Sequence, residues 1–277
     1  MKKLVLFTFL FIFILISQSY AHYFTSCSDF NGHTYINEST SMDALGTCYI
    51  NDTVDYGVFI INTSNIVFDC NSTTFYGNTS GFTIYVRSIS YDTGQTTTID
   101  NITIQNCTID NYHVGIYVYN ATNVNIINNT VYNSSSVRLQ SGSNNSHIIN
   151  NTFRLNKDYA VKIVDTENVS VDNNFVFDGG TWGVIEPWKS YNINITGNYL
   201  NHTTGIYYDG GGYLRYGGVI RDNIINNSYK YSNHAGSLWT EWWKNLTIIN
   251  NTVENSYIGL HLMRNYNTVA ANNTLIE

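Results

Sequence analysis

Basic side chains are scarce in this sequence. Lysine and arginine together number 13, against 20 aspartates and glutamates, and the formal net charge is −7. Because a phosphate-backbone partner needs clustered positive charge, this imbalance argues against binding to nucleic acid. Long hydrophobic runs are also lacking after the first 21 residues, so we expect no transmembrane segment in the mature chain.

The first 21 residues have the pattern of a secretory signal peptide. Lys2 and Lys3 precede an apolar stretch over residues 4–16, and small residues occupy both positions that a signal peptidase reads in the closing Ser-Tyr-Ala of 19–21. The apolar stretch is too short to span a bilayer comfortably. We therefore expect cleavage after residue 21 and a secreted or cell-surface protein.

Cysteine is rare as well, with four residues and no Cys-x-x-Cys pair. The missing pair and the lack of matching histidine spacing leave a zinc site as a weak alternative. An even number of cysteines in an exported protein favours disulfides, of which three pairings are open. We favour Cys27 with Cys48, which would close an N-terminal cap over residues 22–60, and Cys70 with Cys107, which would join neighbouring repeats.

Asparagine, by contrast, occurs 40 times and marks an internal repeat. A short alternating strand, a small polar pair and another apolar residue recur along the chain. The second residue of the pair stands at positions 107, 129, 151, 174, 198, 223, 251 and 273. A small residue followed by a second alternating strand accompanies the pair, as in Gly115–Val118. These short periods leave no room for a crossover helix between strands.

The repeat predicts an all-β fold, a single-stranded right-handed parallel β-helix over residues 61–277 with coils of about 22–28 residues. Each strand then pairs with its counterpart one coil on, at roughly 4.8 Å per coil, and alternate apolar side chains share one interior. Asparagine tolerates the left-handed turn conformation and can form an amide ladder. We therefore expect Asn129, Asn151 and Asn174 in one column.

These two elements resemble the parallel β-helix repeat of NosD-like proteins and the wider pectin-lyase-like superfamily, over roughly residues 65–277. The resemblance implies the fold, and for function it implies a range from polysaccharide lyases and hydrolases to carbohydrate-binding surface proteins. NosD-like proteins are linked with copper-enzyme maturation, but the seven histidines have no paired spacing, so we expect no metal.

Two enzyme families within that superfamily are not expected. The Arg-x-Pro-x-x-Arg pattern typical of pectate lyases is absent, because the sole proline is Pro187, which follows Ile185 and Glu186. The Asp-Asp, Gly-His-Gly and Arg-Ile-Lys patterns typical of polygalacturonases are absent too.

Three successive coils are lengthened, at residues 178–191, 207–218 and 229–244, and they hold every tryptophan of the chain. Loops that lengthen on consecutive coils are neighbours in space. Aromatic faces stack on sugar rings, so we expect one patch that binds a polysaccharide or surface glycan. The alternative is a structural lid packed on the flank of the helix. The predicted members of the patch are Trp182, Trp188, Tyr207, Tyr213, Trp239, Trp242 and Trp243.

Catalysis as a polysaccharide lyase or glycoside hydrolase is the alternative function. Hydrolysis needs two carboxylates on either side of the bond, and the lengthened coils offer Glu186, Asp209 and Glu241. A count from Gly183 and Gly205 makes Glu186 point inward and Asp209 outward, so they converge only if the proline breaks the strand. A lyase needs a base and a cation, and the candidates for these roles are His234, Arg215, Lys189 and Arg221.

An outward stripe is also expected two positions after each small residue. Its cations would contact an anionic polymer or simply be solvated. The stripe consists of Tyr117, Arg138, Lys162, Ile185, Tyr207, Leu238 and His261.

Three smaller expectations complete the prediction. No cofactor is expected, although Asp209–Gly212 resembles a single copy of a calcium-binding repeat, which keeps calcium as an alternative. The sequence stops inside a coil at 275–277, so the last edge is expected to meet a partner or another copy, unless the chain continues in a longer protein. Asn-x-Ser/Thr motifs make glycosylation on loops an expectation, for example at Asn78 or Asn201.

Overall fold

Three long parallel sheets make up the protein. The structure, a computed structural model, describes residues 22–30, 33–50, 57–78, 81–88, 98–181, 183–229 and 237–277. The predicted signal peptide therefore lies outside the described residues. Apart from the 3-10 turn Cys27–Asp29, these residues contain no helix, and so none that is long and apolar enough to cross a membrane.

The sheets contain ten, eleven and ten strands, and the chain passes through sheet 1, sheet 2 and sheet 3 in turn. Sheet 1 consists of Thr34–Ile36, Phe59–Ile61, Phe82–Arg87, Val114–Tyr119, Ser135–Gln140, Val161–Val164, Ile185–Trp188, Gly205–Asp209, Ser237–Glu241 and Leu260–Met263. Sheet 2 consists of His22–Phe24, Thr40–Met42, Ile66–Asp69, Ile99–Gln105, Ala121–Ile127, His147–Ile149, Ser170–Asp172, Asn194–Thr196, Val219–Arg221, Thr247–Ile249 and Val269–Ala271. Sheet 3 consists of Thr47–Tyr49, Thr74–Tyr76, Thr108–Asp110, Thr130–Tyr132, Thr152–Asn156, Phe175–Gly179, Tyr199–Thr203, Ile224–Asn226, Thr252–Glu254 and Thr274–Ile276. A two-stranded sheet pairs Arg215–Tyr216 with Trp243–Lys244.

Every strand of the three sheets pairs in parallel with the equivalent strand of the next coil. This arrangement confirms the predicted right-handed parallel β-helix. The interior consists of stacked aliphatic columns, such as the fully buried Ile104, Ile126 and Ile148 of sheet 2. Burial of each such side chain stabilises the fold by about 1.5–3 kcal/mol relative to an exposed one.

The two residues of the polar pair have different tasks. The first, such as Asn128 or Asn150, is exposed and left-handed, with φ of 55° and 56°. The second is buried and forms the ladder, in which Asn129 Nδ2 donates to Asn151 Oδ1 at 3.1 Å and Asn151 Nδ2 donates to Asn174 Oδ1 at 3.0 Å. The predicted column of asparagines is therefore confirmed.

The predicted N-terminal cap region forms coils of the β-helix itself. Thr34–Ile36 and Thr47–Tyr49 are the first strands of sheets 1 and 3, because their residues pair with the next coil. Phe30 closes the end of the core, with its ring centroid 5.1 Å from that of Phe24 and 5.0 Å from that of Phe59. The described strands of this segment thus continue the sheets, and a cap over residues 22–60 stays a prediction.

Both favoured disulfides are present. Cys27 is bonded to Cys48 and Cys70 to Cys107, which confirms the predicted pairing. The second bond joins the sheet 2 to sheet 3 turns of neighbouring coils. Its half-cystine Cys107 occupies the first position of the asparagine ladder, where its backbone N–H donates to Asn129 Oδ1 at 3.0 Å.

Candidate functional site

The outer surface of sheet 1, here called the sheet 1 face, holds half of the predicted catalytic and binding residues in two adjacent columns. Adjacent strands pair in register, so that Arg138 lies beside Lys162 and Lys162 beside Glu186. At roughly 4.8 Å per coil, each column is roughly 34 Å long. The first column reads Tyr85, Tyr117, Arg138, Lys162, Glu186, Tyr207, Trp239 and His261. The second reads Arg87, Tyr119, Gln140, Val164, Trp188, Asp209, Glu241 and Met263.

The register corrects the predicted direction of Glu186. Ala160 N–H donates to the Val184 carbonyl, and Val161 pairs with Ile185. Val184 therefore takes the place expected for Gly183, and the strand is shifted by one residue. Glu186 faces outward, while Ile185, which was expected in the outward stripe, is fully buried in the core.

The same one-residue shift occurs two coils later. Gly205 pairs with Ser237, so Leu238 belongs to the core and Trp239 takes its place in the outward column. As a result, Glu186 and Asp209 share the sheet 1 face without any break in the strand at the proline. The expectation that they converge only after such a break was wrong.

A cleft of about 440 Å³ opens at the middle of the sheet 1 face. The Lys162 ammonium forms an ion pair with Glu186 and lies 5.8 Å from the centroid of the Trp188 ring. The Arg138 guanidinium lies 5.5 Å from the centroid of the Tyr117 ring. The cleft is lined by Arg138, Asp158, Tyr159, Lys162, Val164, Thr181, Glu186 and Trp188.

Burial raises the pKa of two acids in this cleft. For Glu186, which is only 7% exposed, Lys162 opposes that effect and Asp209 adds to it. For Tyr159, burial raises the pKa to about 12, although the neighbouring Arg138 guanidinium lowers it. A carboxyl group with a raised pKa keeps its proton closer to neutral pH, as a general acid requires.

Three carboxylates surround one tyrosine hydroxyl on the C-terminal side of the cleft. Burial raises the pKa of Tyr207, and the negative charges of Asp209, Glu241 and Glu186 raise it further, as does a hydrogen bond to Asp209. Asp209 and Glu241 are direct partners on adjacent strands. The structure therefore brings the three predicted catalytic carboxylates together, and it adds Tyr207, which was predicted only as a binding residue.

The predicted aromatic residues fall into different environments. Trp188 is partly exposed on the sheet 1 face, with the Lys189 ammonium 4.1 Å from its ring centroid. Trp239 is 7% exposed and stacks on His261, with ring centroids 3.9 Å apart. Trp242 lies in the following turn under the Arg264 guanidinium. In the preceding lengthened coil, Tyr213 is 70% exposed.

Trp243, which was predicted to bind sugar, lies in the core. Its side chain has no exposed surface and packs in the core against Tyr208, with ring centroids 4.1 Å apart. Trp242 has a left-handed backbone with φ of 62°, and the chain after it turns inward. The structural-lid alternative thus describes Trp243 better than sugar binding does. Trp182 and the predicted base His234 lie outside the described residues.

Arg215 is not among the residues that line the cleft. Its guanidinium lies 4.8 Å from the centroid of the Tyr191 ring, in a second depression of about 220 Å³ that also includes Asp165 and Lys189. In the stretch expected to resemble a calcium repeat, Asp209 Oδ1 accepts a hydrogen bond from Gly211 N–H at 2.7 Å. Among the described residues, no group of three or more His, Cys, Asp or Glu is placed to hold a metal ion.

The sequence prediction placed Tyr117 in the outward stripe but missed Tyr85 and Arg87 at the N-terminal end of the sheet 1 face. Tyr85 and Tyr117 stack there, with ring centroids 5.1 Å apart and an angle of 2° between the rings. The signal was present, because Tyr85 and Arg87 have the outward parity of the strand Phe82–Arg87. Tyr159 was missed as well, since it lies in a turn and has no repeating counterpart.

Comparisons with known proteins agree with this architecture. The family model described as right handed beta helix region matches residues 35–200 and 89–237. An alginate lyase from Paenibacillus sp. str. FPU-7 has a TM-score of 0.61 and 14% identity over 92% of this chain and 95% of the lyase. The catalytic domain of a GH87 alpha-1,3-glucanase, solved in complex with tetrasaccharides, has a TM-score of 0.55 and 13% identity over 93% of this chain. The chain spans 62% of the length of that glucanase. At such identities the likeness is one of fold, and no curated protein sequence matches the chain.

Proposed function

This chain belongs to the right-handed β-helix family, and from that premise we propose that it binds a carbohydrate chain along the sheet 1 face. The observation that carries the proposal is the pair of uninterrupted outward columns beside the cleft. Aromatic faces stack on sugar rings, while carboxylates, amides and cations bond hydroxyl and acidic groups. Both kinds of group are present on the face, in neighbouring blocks of the two columns.

Two further observations support this proposal. Two of the structures that resemble this fold are, by their names, an alginate lyase and a glucanase with bound tetrasaccharides, so the same architecture serves polysaccharides elsewhere. The two disulfides favour an oxidising compartment, which supports a secreted or cell-surface location. We propose that the partner is an extracellular polysaccharide or a surface glycan.

Binding to a glycan array tests the proposal. Replacement of both Trp188 and Tyr117 by alanine removes two partly exposed rings from the sheet 1 face, and each aromatic contact is worth about 0.5–1.5 kcal/mol beyond the buried area. We expect affinity to fall about tenfold or more. The matched control replaces Tyr76 and Phe175, two exposed rings on sheet 3, and should bind as the wild type does. Equal binding by both double variants, with circular dichroism unchanged, would refute the assignment.

Hydrolysis or lysis of the bound chain is a second candidate function, favoured by the carboxylates around Tyr207. Glu186, with its raised pKa, suits a general acid, and Asp209 or Glu241 suits the second carboxylate that hydrolysis requires. In a lyase, Asp209 or Glu241 would take the proton beside the acidic group of the sugar, and Tyr207, which its raised pKa keeps protonated, would give a proton to the departing glycosidic oxygen as the C–O bond breaks.

Product analysis separates binding from catalysis. The protein is incubated with neutral and uronate-containing polysaccharides, and new reducing ends and unsaturated ends are measured. Catalysis predicts product that is lost in Glu186→Gln and Asp209→Asn but retained in Glu254→Gln, a carboxylate of sheet 3. If neither new reducing ends nor unsaturated ends form from any of the polysaccharides, catalysis is contradicted and binding alone is left as the function of the sheet 1 face.

A further inference from the structure

Charge is divided along the sheet 1 face. The N-terminal coils contribute Arg87, Arg138 and Lys162 to its two columns. The next three coils contribute Glu186, Asp209 and Glu241. The face is therefore positive at one end and negative at the other, and the cleft lies where the two meet.

Arg138 is the cation of the cleft that forms no ion pair among the described residues, and its guanidinium shares a hydrogen bond with the Tyr159 side chain. Its Nε is buried and has no hydrogen-bond partner in the part of the chain that the structure describes. Lys162, by contrast, is paired with Glu186. The rim carboxylate Asp158 accepts a hydrogen bond from Ser135 Oγ at 2.9 Å. A partly buried guanidinium without an anion is stabilised when a ligand supplies one.

The negative end of the face keeps an excess of charge after its own ion pairs are taken into account. Lys162 offsets Glu186, and the Arg264 guanidinium lies 3.7 Å from Glu241. Asp209 takes part in no ion pair among the residues that the structure describes. A ligand that carries a negative charge on every sugar would bring one of these charges beside Asp209, which would repel it.

We infer that the ligand is a polysaccharide in which acidic sugars are separated by uncharged ones, with one acidic group bound by Arg138. The inference rests on the proposed function of the sheet 1 face and names its substrate class. The acidic group lies between the Tyr117 ring on one side and Lys162 on the other, and an uncharged sugar lies over Tyr207 and its carboxylates. Guanidinium and acidic oxygens form paired hydrogen bonds, whereas carboxylates accept hydrogen bonds from uncharged sugar hydroxyls.

Calorimetry with three hexasaccharides tests this inference on the full chain. The probes are an oligogalacturonate, with an acid on every sugar, a neutral cello-oligosaccharide, and an alternating glucuronate and N-acetylglucosamine oligosaccharide. We expect the alternating probe to bind at least about tenfold more tightly than either of the others, with an affinity that falls as salt is added. Tightest binding of the uniformly acidic probe, or equal binding of all three, would overturn the inference but leave the proposed function standing. No binding of any probe, confirmed on a broad glycan array, would overturn both.

Substitutions of charged residues test which side chains cause the preference for the alternating probe. Arg138→Gln should reduce the affinity for the alternating probe to that for the neutral one, and Arg138→Lys should restore part of the difference. Asp209→Asn with Glu241→Gln should raise the affinity for the uniformly acidic probe. Arg154→Gln, which removes a cation from the outer surface of sheet 3, is the matched control and should change none of these affinities. If Arg138→Gln and Arg154→Gln behave alike, Arg138 does not bind the acidic group.

Discussion

Asn174 makes hydrogen bonds to both neighbouring coils. Its Nδ2 donates to the Ile148 carbonyl at 2.9 Å and to Asn198 Oδ1 at 3.0 Å, and its Oδ1 accepts from the Asn151 N–H at 2.9 Å. All of these groups are buried, so water cannot replace a missing partner. A single amide thus satisfies the polar atoms of three coils.

Removal of that amide should therefore be costly. Asn174→Ala leaves several buried groups without partners, at about 1–3 kcal/mol each, and we expect a loss of about 3 kcal/mol or more in the free energy of unfolding. Urea unfolding measures this loss. The neighbouring Asn173 has φ of 54° and makes no ladder bond, so Asn173→Ala should cost only about 1–2 kcal/mol. Equal losses in the two variants would contradict the division of tasks within the polar pair.

Glu186 should make stability fall as pH rises. Its folded pKa is raised by burial above the ordinary value of 4.5, so the native state binds a proton that the unfolded state has already released. The free energy of unfolding therefore declines from about pH 4.5 upward until Glu186 is ionised in the folded protein. Glu186→Gln should remove this part of the decline, and Lys162→Met should extend it to higher pH, because Lys162 opposes the shift. Urea midpoints against pH for the three proteins would show it, and parallel curves would contradict it.

The face of the sheet on which each side chain lies was harder to predict than the presence of the strands. The period of the polar pair revealed the β-helix and the ladder, because each coil repeats the same buried amide. Which side chains face outward depends on a register that a one-residue slip reverses. At Ile185 and again at Leu238, the pairing differs by one residue from the one counted from the preceding glycine, and the sequence pattern is the same for either register. Trp243 was placed on the surface for a related reason, since the inward turn follows a left-handed backbone that its sequence does not mark.

The Cys70–Cys107 bond and the ladder connect neighbouring coils at the same position. The bond closes a loop with a sequence separation of 37, and for such a loop the chain-entropy model gives about 3–4 kcal/mol. We predict that replacement of both cysteines by asparagine extends the ladder and retains more stability than replacement of both by alanine. Thermal unfolding of the two double variants makes the comparison. Equal melting temperatures would mean that a side-chain amide cannot serve at this position.

Stability should vary along the molecule, because nearly all packing joins one coil to the next. The last strands expose Ala270 and Leu275, whereas the equivalent residues of the inner coils, such as Ile248 and Val253, are buried. Hydrogen exchange should therefore be fastest in Thr274–Ile276 and slowest in inner strands such as Ala121–Ile127. Uniform protection would contradict this gradient.

Self-association through this end stays a prediction, and sedimentation at increasing concentration, with Leu275→Lys as the control, would detect it.

Because equivalent coils stack at a constant spacing, the number of coils sets the distance between any two sites on the sheet 1 face. Residues 130–151 span one whole coil, so a deletion of this coil would leave the register of the sheets intact. It would also move the stacked rings of Tyr85 and Tyr117 about 4.8 Å nearer to Glu186, Asp209 and Glu241. In relatives of this chain, the distance between the equivalents of Tyr117 and Tyr207 can therefore differ only by whole coils of about 4.8 Å. The number of coils between Tyr117 and Tyr207 would then fix how many sugars separate the two ends of the glycan segment they recognise.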